Sequence, residues 1–401
     1  MDNEKIEQAI TDLKNGKLIL VADDRNREAE GDFVGLAQFA TGATLNTMVT
    51  HGRGLVCAPM TATVAKRLQL EPMTQHNTET YGTAFTVSTD HKTTSTGISA
   101  FDRATTIKAL SDPTARPDAF EHPGHVFPLV AKAGGVLSRR GHTEAAVDLA
   151  QIAGVEPVAY ICETLNPDGT MARLPQLEKL SQQLGLTLIT IEELTAYRYS
   201  LNQSVVTAAE KVKLPTRYGE FDLTGYTSEK DSQVQLFLTK GELDTTQPVL
   251  LRLHSECFTG DIFGSERCDC GEQLHASMAQ IQRAGNGALL YLRQEGRGIG
   301  LLNKLHAYKL QESGYDTYDA NVELGFAPDE REYGLAAAIL HVQKITRVRL
   351  MTNNPAKVAA LEKYGIEVVE RVPVEVKPRP ENINYLKTKQ AKFHHILHLA
   401  Q

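Results

Sequence analysis

The 401-residue chain has no tryptophan and only five cysteines. Two of these, Cys57 and Cys162, stand alone. So few thiols exclude a disulfide framework and, with a polar start at Met1-Asp2-Asn3-Glu4-Lys5 that lacks the order of a secretion signal, point to a reducing cytoplasm. No run of about 18 apolar residues occurs, which excludes a membrane-spanning helix. There is no excess of positive charge: the formal net charge is -7, which disfavours nucleic acid as a partner, because duplex affinity comes mainly from neutralised phosphates. No repeat or low-complexity tract interrupts a composition ordinary for globular protein, 41% hydrophobic and 23% charged.

At this length two or three domains are expected. Ile6, Ile10 and Leu13 recur at helical spacing before the turn Asn15-Gly16 and the apolar run 18–22, predicting helix, turn and buried strand. The polar stretch 200–215, with Asn202-Gln203-Ser204, reads as the junction between two domains, 1–199 and 200–401. Further strands are expected over 158–162, 233–238, 249–253, 288–292 and 348–351. The fold class is therefore α/β (mixed α+β), as two separate α/β domains in tandem. A tail from Lys387 onward, rich in lysine and histidine, reads as a short helix or as disorder.

The remaining three cysteines, Cys257, Cys268 and Cys270, are spaced Cys-x10-Cys-x-Cys. A trio of this kind suits a catalytic zinc, whose fourth position stays open for water or substrate. His254 or His275 could instead close a structural site, but Arg252, Ser255, Glu256, Arg267 and Gln273 surround the trio with groups suited to phosphates and polar bases. Downstream, Glu295-Gly296-Arg297-Gly298 follows an expected strand, and its glycines let backbone approach a ligand. Asp329, Arg331 and Tyr333 could supply proton transfer and phosphate contact, although alone they would read as a charged helix start. Thr352 to Lys357 reads as a polar loop at a strand end, a usual ligand position.

Together these motifs resemble GTP cyclohydrolase II over about residues 214–391. That family opens the imidazole ring of GTP, releases C8 as formate and splits off pyrophosphate. Matched by position, the resemblance implies zinc on Cys257, Cys268 and Cys270. It implies GTP contacts from Arg252, Leu253, His254, Ser255, Glu256, Gln273, Glu295, Gly296, Arg297, Thr317, Thr352 and Lys357. Asp329 is implied as proton acceptor and Arg331 as nucleophile toward the α-phosphate, with Tyr333 a candidate to position water or the leaving group. A zinc-bound water with its pKa lowered to about 7 would attack C8. Arginine stays protonated at ordinary pH, so charge stabilisation is an equally economical role for Arg331.

In the first half, Arg27-Glu28-Ala29-Glu30-Gly31-Asp32 follows the first expected strand, and its carboxylates suggest a hard cation or, more blandly, a solvated acidic loop. His125 sits amid apolar residues, as a satisfied core histidine often does. Arg139-Arg140-Gly141-His142-Thr143 precedes an apolar helix with Thr143 as the expected N-cap, an arrangement that favours phosphate. Glu163 ends an expected strand, where a catalytic base belongs. This half resembles 3,4-dihydroxy-2-butanone 4-phosphate synthase, which converts ribulose 5-phosphate and expels formate. The resemblance implies magnesium, or manganese, on Glu28 and His142, substrate contacts from Arg27, Asp32, Arg139, Arg140, Gly141, His142, Thr143 and Glu163, and essential roles for His125 and Glu163.

Three departures stand out. The synthase family usually reads Asp-Asp-Glu-Asp-Arg-Glu-Asn-Glu-Gly-Asp where this chain has Asp23-Asp24-Arg25-Asn26-Arg27-Glu28-Ala29-Glu30-Gly31-Asp32. In the other half Gln343-Lys344 replaces a usual Leu-Gly, and His394 a common glycine. The expectation is a homodimeric bifunctional enzyme making both precursors of riboflavin. One rival is an enzyme in which only the GTP cyclohydrolase II half works, the loop from Arg25 to Ala29 having impaired the synthase. Another is a zinc-stabilised nucleotide-binding module without turnover.

Overall fold

The computed structural model describes residues 3–24, 27–201, 205–228 and 233–399. Arg25 and Asn26, and the junction residues 202–204, lie outside the described residues. The chain divides into two compact units, residues 2–198 and 199–401, each built on its own seven-stranded sheet.

The first unit opens with the helix Asn3–Lys14, which buries Ile6, Ala9 and Leu13, and then enters β1 (Ile19–Ala22). The strands β2 (Gly31–Leu36), β3 (Cys57–Met60), β4 (Thr89–His91), β5 (Phe120–Val130), β6 (Ala159–Glu163) and β7 (Leu188–Thr190) complete a mixed sheet in the order β4-β5-β3-β6-β2-β1-β7. β1 and β2 are buried at every residue, and β1 accordingly reads as an apolar run rather than an alternating pattern, whereas β2 buries Asp32. The antiparallel register of β2 and β6 sets Asp32 opposite Glu163, bringing two chemically active carboxylates to one place. The helix His142–Ala153 is buried along most of its length.

That helix corrects one expectation. Its N-cap is Gly141, with no side-chain capping bond, and Thr143 is its second residue. The Arg139–Glu144 ion pair (2.7 Å) fills the space beside the helix start, so a Cβ at position 141 would lie 2.4 Å from Arg139 Nη1. The cap is therefore the residue without a side chain.

In the second unit β8 (Thr207–Thr216), β9 (Gly219–Thr227) and β10 (Gln235–Lys240) form an antiparallel meander. It joins β12 (Gly287–Leu292), beyond which β11 (Val249–Ser255), β13 (Arg347–Met351) and β14 (Glu367–Val372) run parallel. β8 corrects a second expectation, because most of the stretch read as a junction is a strand. It is an edge strand, largely exposed on both faces, so it carries no apolar alternation to reveal it. The tail expectation resolves as the helix Ile383–Phe393 followed by an irregular segment to residue 399.

Candidate active sites in two sheets

The second unit gathers its site at the carboxyl ends of the parallel strands β11, β12 and β13, the usual ligand position in such sheets. Cys257 follows β11, and Cys268 and Cys270 arrive from the start of the helix Cys270–Ala284. Their sulfurs lie within 4.8 Å of one another, Cys257 and Cys268 at 3.7 Å. A Cβ at Gly260 would sit 3.0 Å from Cys268 Sγ and 3.1 Å from Cys257 Sγ, so a glycine keeps this cradle open. The neighbouring thiols and then the Lys304 ammonium, 3.2 Å from Cys257 Sγ, pull the Cys257 thiol far down, which favours the thiolate a metal requires.

Neither histidine considered as a fourth ligand joins the trio. His254 Nε2 is held by Asp261 at 3.0 Å, and Asp261 also accepts from the Cys257 N–H (3.0 Å) and the Tyr291 hydroxyl (2.8 Å). His275 stacks on Tyr218, ring centroids 5.4 Å apart. Among the described residues the cluster thus offers three protein donors to a metal and no fourth.

The cavity above the thiols is lined by Arg252, His254, Ser255, Glu256, Gln273, Glu295, Gly296, Arg297, Thr317, Arg331, Thr352 and Lys357. Leu253, Asp329 and Tyr333 stand behind this wall. The Leu253 carbonyl accepts from Lys357 Nζ at 2.8 Å, and Asp329 receives Arg331 as a fork, Nε at 2.8 Å and Nη2 at 2.5 Å. Burial works against the charge on Arg331, but Tyr333 and Asp329 outweigh it and hold the guanidinium above its ordinary value. Burial, then Arg252 and Arg331, push Lys357 well below the usual lysine range. Arg252 is buried, donating to the Met351 carbonyl (2.9 Å) and to Gln273 Oε1 (2.8 Å), while its Nε has no partner. Glu295 is spent on local order: it accepts from the Phe258 N–H (2.5 Å), the Gly296 N–H (2.7 Å) and Lys304 Nζ (2.8 Å). The backbone is left-handed at Gly296 and Arg297, φ 63° and 61°, which turns the loop into the helix Gly300–Glu312.

Sequence reasoning missed Lys304, Asp261, Tyr385, Lys389 and His395. Each comes from mid-helix, a short turn or the tail, where no local pattern marks it. Asp269 was in plain view between two cysteines. It accepts from Gln273 Nε2 (2.6 Å) and from Lys389, and so braces the segment that carries Cys268 and Cys270.

In the first unit Asp23, Glu28 and His142 bring ligand atoms within 4.8 Å of one another. Asp23 was not expected as a site residue, although it opens the quoted acidic string. It accepts from Arg27 Nη1 (2.6 Å) and the Ala29 N–H (3.1 Å). Burial raises Glu28 above its ordinary value, and burial with Glu163 and Glu28 raises Asp32 much further. His142 is driven down to about 4, mainly by burial, and its Nε2 has no hydrogen-bond partner. Crowded carboxylates beside a neutral imidazole whose Nε2 is unpartnered suit a divalent cation.

Arg139 is committed to Glu144, to the Tyr81 carbonyl (3.1 Å) and to Thr83 (2.9 Å), and Arg140 lies 3.5 Å from Asp24. Glu163 Oε2 accepts from the Leu55 N–H at 2.7 Å. His125 is not a core histidine: its side chain is 45% exposed and its Nδ1 pairs with Asp90 at 2.6 Å.

Two families match the chain in tandem: 3,4-dihydroxy-2-butanone 4-phosphate synthase over residues 7–197 and GTP cyclohydrolase II over residues 207–373. The riboflavin biosynthesis protein RibBA of Bacillus cereus is 56% identical over 395 residues, covering 98% of this chain and 99% of that protein. The chain belongs to the RibBA family of riboflavin biosynthesis proteins. It is a bifunctional enzyme of that pathway, a synthase of the lyase class joined to a GTP cyclohydrolase II of the hydrolase class. The RibBA protein of Bacillus cytotoxicus is 55% identical over the same length. Among solved structures, RibBX, a two-domain 3,4-dihydroxy-2-butanone 4-phosphate synthase from A. baumannii, is 32% identical with a TM-score of 0.69, covering 92% of this chain and 99% of that one. None of these relatives supports the rival in which only the cyclohydrolase half works.

Proposed function

We propose that residues 1–199 carry the synthase reaction and residues 200–401 the GTP cyclohydrolase II reaction, with zinc on Cys257, Cys268 and Cys270 and magnesium or manganese on Glu28 and His142. The carrying observation is the convergence of three thiols, without a fourth protein donor, at one end of a cavity lined by arginine and lysine. Zinc there supplies Lewis-acid activation of water at neutral pH.

The chain's own residues divide the remaining work on GTP. Arg252, buried and braced by Gln273, gives fixed positive charge. Arg331 stabilises charge developing on the α-phosphate rather than attacking it, because a guanidinium forked on Asp329 and held above its ordinary value offers no lone pair. Asp329 is kept ionised, its burial more than offset by Arg331, and can accept a proton. Tyr333 borders this group, with Lys357 Nζ 5.7 Å from its ring.

In the first half, Glu28 and His142, with Asp23 beside them, would hold the cation, which would supply stabilisation of the negative charge that develops on the ketose phosphate. Burial and neighbouring carboxylates raise Asp32 well above the usual carboxylate range, opposite Glu163, which favours a division of the pair into acid and base during enolisation. Arg27, Arg139, Arg140 and the start of the helix His142–Ala153 favour the phosphate end. His125 with Asp90 serves as a second proton-transfer pair.

A cytoplasmic homodimer fits both units. Phe101, Phe263 and Leu302 are large apolar residues about three-quarters exposed, at 75%, 74% and 75%, and are the surface positions offered to a second copy. Among the described residues no helix is long and apolar enough to cross a membrane.

The test supplies each substrate separately and measures formate. Cys268→Ser should abolish formate from GTP, lower zinc content and spare formate from ribulose 5-phosphate. His142→Ala should do the reverse. Formate from GTP at the wild-type rate in a zinc-free Cys268→Ser enzyme would refute the metal assignment.

A further inference from the structure

The GTP cyclohydrolase II match ends at residue 373, yet the chain goes on to wall the nucleotide pocket. The helix Ile383–Phe393 is tied to the loops that build that pocket. Lys389 pairs with Asp269, between Cys268 and Cys270. Lys392 reaches Asp316 (2.6 Å) and Asp319 (2.8 Å) at the start of the helix carrying Thr317. The Phe393 ring lies under the Arg297 guanidinium, 4.0 Å from its carbon. At His394 the backbone turns left-handed, φ 55°, and the chain reverses. The His395 N–H then donates to the Lys389 carbonyl (3.0 Å), and the Ile396 N–H to the Asn353 carbonyl (2.9 Å) in the loop after β13. This route brings His395 to the cavity wall beside Tyr385 and Lys389.

The charge facing His395 is one-sided. Lys389, Arg331, Lys357 and Arg297 approach it from four different segments. Asp269 balances Lys389 and Asp329 balances Arg331. Lys357 donates only to a backbone carbonyl in the bonds described, and Arg297 Nη1 is buried with no hydrogen-bond partner. Burial, then these cations, hold the imidazole far below its ordinary range, so it is neutral and carries one N–H donor. A polyanion placed here would meet the unpartnered Arg297 Nη1, the Lys357 amine and one imidazole N–H donor.

We propose that His395 is a substrate-contacting residue of the GTP pocket, donating to an oxygen of the triphosphate, and that residues 383–399 form a wall of that pocket. The inference rests on the GTP reading of this half. It adds a binding residue from outside the matched family span. The tail ties the wall to the metal loop, so substrate contact and metal loop share one support.

The test uses full-length His395→Ala and His395→Asn enzymes. In His395→Ala, the KM for GTP should rise about tenfold. Inorganic tripolyphosphate, its binding measured by calorimetry, should weaken by a similar factor. Inhibition by guanosine, zinc content and formate from ribulose 5-phosphate should stay within twofold. His395→Asn keeps an N–H donor and should recover most of the loss. Unchanged KM and tripolyphosphate binding would overturn the proposal, as would an equal loss of guanosine inhibition, which marks a collapsed wall rather than a lost contact. If His395→Ala loses its zinc, the same comparison passes to His395→Leu, which fills the space of the ring and offers no donor. Tripolyphosphate binding needs no turnover. An unaltered enzyme that binds it through His395 but releases no formate from GTP would therefore sink the GTP reading and not the contact.

Discussion

At the scale of single residues, the three departures from family pattern share one backbone property. Ala29, Lys344 and His394 all have left-handed φ, 55°, 57° and 55°. The family places asparagine at the first and glycine at the other two, the residues that tolerate this region best. An ordinary L-residue pays about 1–2 kcal/mol there. Replacing Lys344 by glycine should therefore raise stability by roughly 0.5–1 kcal/mol, after allowing for glycine's looser unfolded chain. The check is the urea midpoint of the full-length enzyme. Ala29→Asn should act in the same direction while leaving the Ala29 N–H free to donate to Asp23. The Ala29 departure is thus a matter of local strain beside the candidate metal cluster, and the potential ligand atoms of Asp23, Glu28 and His142 still converge. His142 makes a pH prediction. Its folded-state value, about 4, lies below the ordinary 6.5, so its contribution to stability is complete above pH 6.5 and is lost as pH falls from 6.5 toward 4. Urea unfolding of the metal-free enzyme should show this slope, and His142→Asn should flatten it.

Elements decided what could be read in advance. Strands with buried apolar runs, such as β1 and β11, announced themselves, and the observed ends differ from those expected by only a few residues. β8 hid because an exposed edge strand needs no apolar face. The cap of the helix His142–Ala153 was misassigned for a different reason. Propensity favours a threonine hydroxyl, but the Arg139–Glu144 pair, five residues apart, occupies the space such a side chain would need. Gly141→Ser, an improvement by propensity alone, should therefore lower synthase activity by at least tenfold and leave formate from GTP unchanged. Retained synthase activity would show that the ion pair yields without cost. The site followed the same logic. Residues in short strings were legible, whereas Lys304 and His395 depend on how one helix passes another segment, which no string records.

For the whole molecule, two complete sheets share no strand, and each holds its own candidate metal cluster. The clusters differ in donor chemistry, three thiols against two carboxylates and an imidazole. A thiophilic chelator with magnesium in excess should therefore stop formate release from GTP while formate release from ribulose 5-phosphate continues. Parallel loss of both activities would contradict this separation. The placement of β7 has a consequence for synthesis. It is the last strand of the first sheet, ends at Thr190 and lies at an edge, beside β1. On a ribosome, every strand of the first sheet emerges before β8 begins at Thr207. The first sheet can close by adding β7 to an exposed edge, with no strand of the second available to compete for its ladder.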